Sequence, residues 1–300
     1  MNGRTIDSFA QRIRSGEGGL ISAWIGIPDP LFVNHLAQEE FDAVVLDMQH
    51  GVWDLGSAAV GIGQGRLAGK PVLARIPVGD FAAASRLLDA GASGIIAPMI
   101  NSAADAAAFA KATKYPPVGE RSWGPTLALN HTRLPAAEYL TTANDATVAI
   151  AMIETRAALD AADEIMRVEG IDGIFIGPSD LSIALSQGAS VAPDTPEVDG
   201  VLKHLIARCR AHDKFACVFG SNGERAGELL KMGFDFVIAG ADTQQLRAGA
   251  ASAIAAARRV QGCGLTTSPL ARLRDARLRA CHWRACLPSR RRNRSQSDGG

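Results

Sequence analysis

Apolar residues gather into eight short runs along the chain, at 20–25, 43–47, 72–76, 94–99, 147–153, 173–176, 216–219 and 236–239. They show little polar alternation, as expected of strands buried on both faces. Helix-like stretches fill the gaps, and several have readable ends. Asp29-Pro30 supplies an N-cap followed by a proline at the first helical position. Ser102-Ala103-Ala104-Asp105 and Asp242-Thr243-Gln244-Gln245 have the form of capping boxes. Gly91 and Gly233 fit helix C-termini just before the next strand. Eight strands alternating with helices predict a (β/α)8 TIM barrel. A doubly wound sheet competes, but no Gly-x-Gly-x-x-Gly follows the first run.

Two segments break the rhythm. The connection 115–134 carries Pro116-Pro117, Gly119, Trp123-Gly124-Pro125 and His131, and its length suggests a shaped functional loop. The last predicted helix covers 244–259. Beyond it the composition changes abruptly. From Gly262 onward there are nine Arg and two Asp, with no Lys. The predicted organisation is a barrel domain over 1–260 and a basic tail over 261–300, either disordered or aberrant in the way a shifted reading frame would produce.

Charge and cysteine divide at the same place. The net charge is zero for the whole chain, but residues 1–261 hold 22 basic and 29 acidic residues. A mildly acidic body argues against nucleic acid as a partner. Cys209 and Cys217 lie in the body, and Cys263, Cys281 and Cys286 in the tail, with no zinc-site spacing. No apolar run approaches the ~20 residues of a membrane span. The first residues lack the apolar core of a secretion signal. The expectation is a cytoplasmic protein with no membrane partner.

Active sites of such barrels lie at the C-terminal ends of the strands. The second predicted strand ends Leu46-Asp47-Met48-Gln49-His50, the third at Arg75, the fifth before Glu154, and the sixth before Gly177-Pro178-Ser179-Asp180. Glu154 and Asp180 thus fall on one rim, where two carboxylates repel unless a cation lies between them. Oxygen ligands suit a hard or borderline divalent ion, Mg²⁺ or Mn²⁺ first, with Co²⁺ or Zn²⁺ as further choices. Two ligands leave room for water and a chelating 2-oxo acid. Arg75 offers a planar fork for an enolate oxygen or a carboxylate, or else a structural ion pair with a strand-end acid. His50 offers a base near neutral pH, with Asp47 or Asp89 to orient it. Gly177, Pro178 and Ser179 form a strand-to-helix turn whose N–H groups suit a carboxylate. None of the six lysines ends a predicted strand, which disfavours a Schiff base.

These residues carry a resemblance. Leu46-Asp47-x-x-His50, Ala74-Arg75, Leu88-Asp89-x-Gly91, Lys114-Tyr115-Pro116-Pro117-x-Gly119-x-Arg121, Ile153-Glu154-Thr155 and the block 170–182 look like the HpcH/HpaI aldolase family over about residues 5–260. The resemblance implies class II pyruvate aldolases on a (β/α)8 barrel, assembled as hexamers (trimers of dimers) that exchange the last helix. It also implies a place in the breakdown of aromatic compounds. On it, Glu154 and Asp180 bind the metal and Arg75 stabilises the enolate. His50, backed by Asp47 and Asp89, works on the aldol hydroxyl, and Ser179 with nearby amides holds the pyruvyl carboxylate. Gln49 and Met152 depart from the hydroxyheptanedioate aldolases, which carry Glu and Gln there. Gln49, Met152 and the Trp123 loop are therefore where acceptor choice is expected to lie. The implied reaction is reversible cleavage of a 4-hydroxy-2-oxo acid to pyruvate, or a related 2-oxo acid, and an aldehyde. The alternatives are a CoA-thioester lyase of the malyl-CoA or citramalyl-CoA type, and a non-catalytic barrel that binds a 2-oxo acid.

Overall fold

A computed structural model describes residues 8–16 and 18–260 of the 300-residue chain. Eight strands, β1 (Leu20–Ile25), β2 (Ala43–Asp47), β3 (Val72–Arg75), β4 (Gly94–Ala97), β5 (Val148–Ile153), β6 (Gly173–Ile176), β7 (Phe215–Gly220) and β8 (Phe236–Ala241), pair in order and all in parallel. β8 closes on β1, giving a (β/α)8 barrel. The helices are α1 (Ser8–Ser15), α2 (Pro30–Ala37), α3 (Leu55–Leu67), α4 (Phe81–Asp89), α5 (Ala103–Thr113), α6 (Thr126–Thr132), α7 (Ala136–Ala146), α8 (Arg156–Asp160), α9 (Ala162–Arg167), α10 (Pro178–Leu185), α11 (Pro196–Ala211), α12 (Gly223–Met232) and α13 (Asp242–Val260). None of the described helices is long and apolar enough to cross a membrane.

The chain divides into two compact units, 1–246 and 247–300, with the cut inside α13. The barrel belongs to the first. Of the second, residues 247–260 are helical. The expected basic tail, 261–300, lies outside the described residues.

The strands are apolar throughout, yet they still sort their side chains with period two. In β5, Val148, Ile150 and Met152 pack inside the barrel, while Ala149, Ala151 and Ile153 face the helices. Val45 in β2, Leu73 in β3 and Phe175 in β6 point inward, and their immediate neighbours point outward. Two steps along that inward parity lie Asp47, Arg75, Glu154 and Gly177, so the pleat itself delivers the candidate residues to the barrel mouth. At the opposite end α1 closes the barrel, with Phe9 edge-on to Phe236 at 5.3 Å.

Local chemistry explains several boundaries. Asp29 caps α2 by accepting from the Leu31 N–H at 2.8 Å, and Ser102 caps α5 through Asp105. Gly233 ends α12 in the left-handed conformation, φ 112°. The predicted fourth strand, 94–99, stops at Ala97 because Pro98 has no N–H for the ladder and Met99 turns to φ 56°. The predicted long loop is partly helical, with α6 inside it. Asp242 does not act as the expected cap on its own helix three residues on. It is 1 % exposed and accepts from the N–H groups of Gly26, Ile27 and Thr243, tying the β1–α2 turn to β8.

Close strand packing makes Gly173 sensitive. A Cβ there would lie 2.6 Å from the Phe215 carbonyl oxygen and 2.3 Å from its ring. Backbone that close cannot yield cheaply. Gly173→Ala is expected to cost about 1–3 kcal/mol of stability by overpacking, read from the urea midpoint.

Candidate active site

Asp47 organises the barrel mouth. The register sets Asp47 directly opposite Arg75 on neighbouring strands. The guanidinium donates from Nε to Oδ1 at 2.9 Å and from Nη2 to Oδ2 at 2.8 Å. This bidentate pair is buried, with side chains 9 % and 7 % exposed. Trp24, at the end of β1, donates from Nε1 to Oδ2 at 3.2 Å, and its ring lies 4.7 Å from the Arg75 Cζ. The backbone N–H groups of Gln49 and His50 donate to Oδ1 at 3.1 and 3.3 Å. Burial acts to raise the Asp47 pKa. The hydrogen bonds and charge of Arg75, helped by the His50 N–H and Trp24, override it and hold the carboxyl below its usual range.

Glu154 is in a different situation. It is 2 % exposed, just past β5, and its Oε1 accepts one hydrogen bond, from the Met99 N–H at 2.9 Å. Burial pushes its carboxyl pKa up. The Met99 bond opposes this, the charge of Asp180 adds to it, and the charge of Arg75 pulls back without offsetting it. Asp180 stands in the first turn of α10 rather than on a strand end, and is exposed. A buried carboxylate beside a second one, with no cation in contact among the described residues, has the character of half a metal site. Among the described residues no group of three or more His, Cys, Asp or Glu is gathered for a metal. As two interacting carboxylates, the pair suits by its oxygen donors a hard ion that takes its remaining ligands from water and substrate.

Asp180 and the Asp47–Arg75 pair border a cavity of about 500 Å³, and Glu154 lies behind its lining, against Gly177. Asp47, His50, Arg75, Met152, Gly177, Pro178, Ser179 and Asp180 line it. α10 opens on Pro178 with no side-chain cap, so its first N–H groups are left for an anion. Trp24, Phe175 and Phe219 form an aromatic floor, with ring centroids 5.6 and 5.5 Å from Trp24. Trp24 and Asp242 also belong to this lining, and the sequence reading passed over both. The inward parity of Leu20, Ser22 and Trp24 was the available signal for the first. Nothing local signalled the second, whose partners Gly26 and Ile27 are 216 and 215 residues away.

Three expected residues fall elsewhere. Asp89 ends α4, and helices here run antiparallel to the strands, so it lies at the N-terminal face of the barrel. There Arg121 donates to its Oδ1 at 2.6 Å. The expectation that Asp89 orients His50 is therefore corrected: in this chain Asp89 pairs with Arg121. Trp123 belongs to the same end, its ring tilted against Tyr115 at 5.6 Å and edge-on to Tyr139 at 6.1 Å. Gln49 does not line the cavity, and its Oε1 is buried without a partner. Asp47 likewise reaches His50 through the backbone, not the ring.

Lys114 is the most buried lysine among the described residues. It is 3 % exposed at the far end of the barrel and donates to Asn144 O, Thr147 O and Asp172. Burial lowers its pKa against the pull of Asp172, but it has no access to the cavity. A larger open groove of about 810 Å³, with Arg66, Lys70, His131 and Arg133, shares no lining residue with the cavity.

The model of the HpcH/HpaI aldolase/citrate lyase family matches residues 21–248. The chain belongs to that family. It is 41% identical over 242 residues to a hydroxypyruvate/pyruvate aldolase of Rhizorhabdus wittichii, covering 79% of this chain and 94% of the relative. It is 32% identical over 249 residues to a 2-keto-3-deoxy-L-rhamnonate aldolase of Shigella sonnei, covering 81% and 90%. A solved HpcH/HpaI aldolase/citrate lyase family protein from Burkholderia cenocepacia superposes with a TM-score of 0.76 at 25% identity, over 84% of this chain and 99% of that one. As an HpcH/HpaI member the chain is an aldolase, and hence a lyase.

Asp47→Asn would leave the Arg75 guanidinium buried without a counter-charge. It is expected to lose about 3–5 kcal/mol in chemical denaturation. Because the native pKa of Asp47 is depressed, its contribution is complete above pH of about 4 and is lost as pH falls through the native value. The acid limb of the stability profile should be shallower in the variant.

Proposed function

We propose that this family member is a divalent-metal-dependent aldolase that reversibly cleaves the C3–C4 bond of a 4-hydroxy-2-oxo acid, giving pyruvate or hydroxypyruvate and an aldehyde. The observation that carries this reading is Glu154. It is a buried carboxylate, close enough to Asp180 for the two charges to interact, and among the described residues no cation is in contact with it. Its relatives named hydroxypyruvate/pyruvate aldolase support the donor class.

Glu154 and Asp180 would hold the ion, Mg²⁺ or Mn²⁺ by ligand type. When bound, it supplies Lewis acidity at the 2-oxo group. The remaining work falls to the chain. The N–H groups at the start of α10, beside Gly177, Pro178 and Ser179, hold the carboxylate of the 2-oxo acid. Arg75 spends Nε and one N–H of Nη2 on Asp47, which leaves Nη1 for the oxygen that gains charge as the enolate forms. His50 takes the C4 hydroxyl proton, directly or through water, while its turn is held by Asp47. C3–C4 cleavage then releases the aldehyde, and the enolate is protonated at C3. Met152 and the aromatic floor exclude water from that carbon.

A homo-oligomer, a hexamer with the last helix exchanged, follows from the family resemblance. Asp89 and Trp123 would then serve only a neighbouring copy's site, since they stand at the wrong end of their own barrel. Light scattering of the full chain and of residues 1–260 tests this, and a monomer would overturn it. The CoA-lyase alternative is disfavoured by the acidic body and by the separation of the cationic groove from the cavity.

Pyruvate release from a 4-hydroxy-2-oxo acid, coupled to lactate dehydrogenase, is expected to be abolished by EDTA and restored by Mn²⁺ or Mg²⁺. Glu154→Gln and Asp180→Asn should each lower kcat/KM by about a thousandfold, the size of several kcal/mol of lost Lewis acidity. EDTA-resistant turnover would mean a different mechanism. Arg75→Ala is expected to stop exchange of the pyruvate C3 protons in D₂O, and unaltered exchange would remove Arg75 from its role.

A further inference from the structure

We propose that Met99 and Gly177 are positioning residues that fix which oxygen of Glu154 faces the metal. This rests on the metal reading above and goes beyond it. Four non-glycine residues among those described have positive φ. Arg133, Gln187 and Asp213 directly follow or closely trail helix ends, where a left-handed residue is an ordinary terminator. Met99, at φ 56°, follows a strand and ends no helix. The residue is 39 % exposed, so packing does not account for the conformation. Its N–H does: the turn aims it at Glu154 Oε1, 2.9 Å away.

The turn is held from its other side as well. Asn101 Oδ1 accepts from the hydroxyl of Thr155, the residue after Glu154, at 2.5 Å, and the Asn101 N–H donates to Asp105 at 3.1 Å. Such surroundings are what allow an unfavourable backbone conformation to persist. The second Glu154 oxygen is constrained by space. Ile153 and Ile176 are register partners, so Glu154 and Gly177 follow them side by side. A Cβ on Gly177 would lie 2.9 Å from Oε2. Gly177 has φ −96°, so backbone freedom is not its reason for being glycine. The missing side chain leaves Oε2 its place beside Gly177, which lines the cavity, while the Met99 amide occupies Oε1.

The test is Mn²⁺ affinity of the EDTA-treated full-length protein, read by electron paramagnetic resonance without substrate. Gly177→Ala should weaken binding at least tenfold. Met99→Val, β-branched and ill-suited to positive φ, should weaken it several-fold, whereas Met99→Gly and Met99→Asn keep the amide and should stay within about twofold. Wild-type affinity in a folded Gly177→Ala protein overturns the proposal. So does equal loss in Met99→Gly and Met99→Val, which would assign the effect to the side chain. The metal reading fails separately, if wild type does not bind Mn²⁺ or if Glu154→Gln binds it unchanged. Should Met99→Val not fold, the Met99 amide proton shift decides. It should move upfield in Glu154→Gln, and an unmoved shift overturns the proposal.

Discussion

Asp47 and Arg75 meet because β2 and β3 are parallel and in register, and because both residues carry the inward parity of their strands. Neither charge would be tolerated alone at the buried end of a barrel. Together they make one polar unit on which other parts settle. Trp24 lies over the guanidinium and donates to the carboxylate, and the turn that carries His50 hangs from the same carboxylate oxygen. A single aspartate thus sets the position of a base, of a cation and of the aromatic floor beneath them.

The two ends of the barrel use charge differently. At the N-terminal face the acids are fully engaged. Asp172 takes Lys114 and the Ala149 N–H, and Asp235 takes the fork of Arg210 and the Ala216 N–H. Those groups close the sheet and stabilise it. At the C-terminal face Glu154 has one backbone hydrogen bond and a neighbouring negative charge. Both ends bury carboxylates, but at the C-terminal face Glu154 has no cation in contact among the described residues. That deficit, rather than cavity size, separates the 500 Å³ site from the wider groove on the outside of the barrel.

Much of this was legible along the chain. Apolar runs bounded by Gly, Pro and capping residues report strands and helices because those preferences act within a few residues. Strand ends then pointed to Asp47, His50, Arg75 and Glu154 because the pleat places alternate residues on one face whatever their partners are. Where the reading went astray, the deciding contacts were remote. Asp242 looked like a cap for its own helix, yet its carboxylate serves Gly26 and Ile27. Asp89 looked like a partner for His50, but α4 carries it to the other end of the barrel.

The sequence by itself therefore determined the alternation of elements, the barrel they imply and the inward set of polar residues, because these follow from local conformational preference and period-two geometry. Only the tertiary structure decided which of those residues act on one another. Closure of β8 on β1, the register of β2 with β3 and of β5 with β6, and the left-handed turn at Met99 are relations between segments far apart in the chain. Hydrogen bonds and ion pairs depend on ångström-scale distance and direction, and those are set only when the segments are packed together.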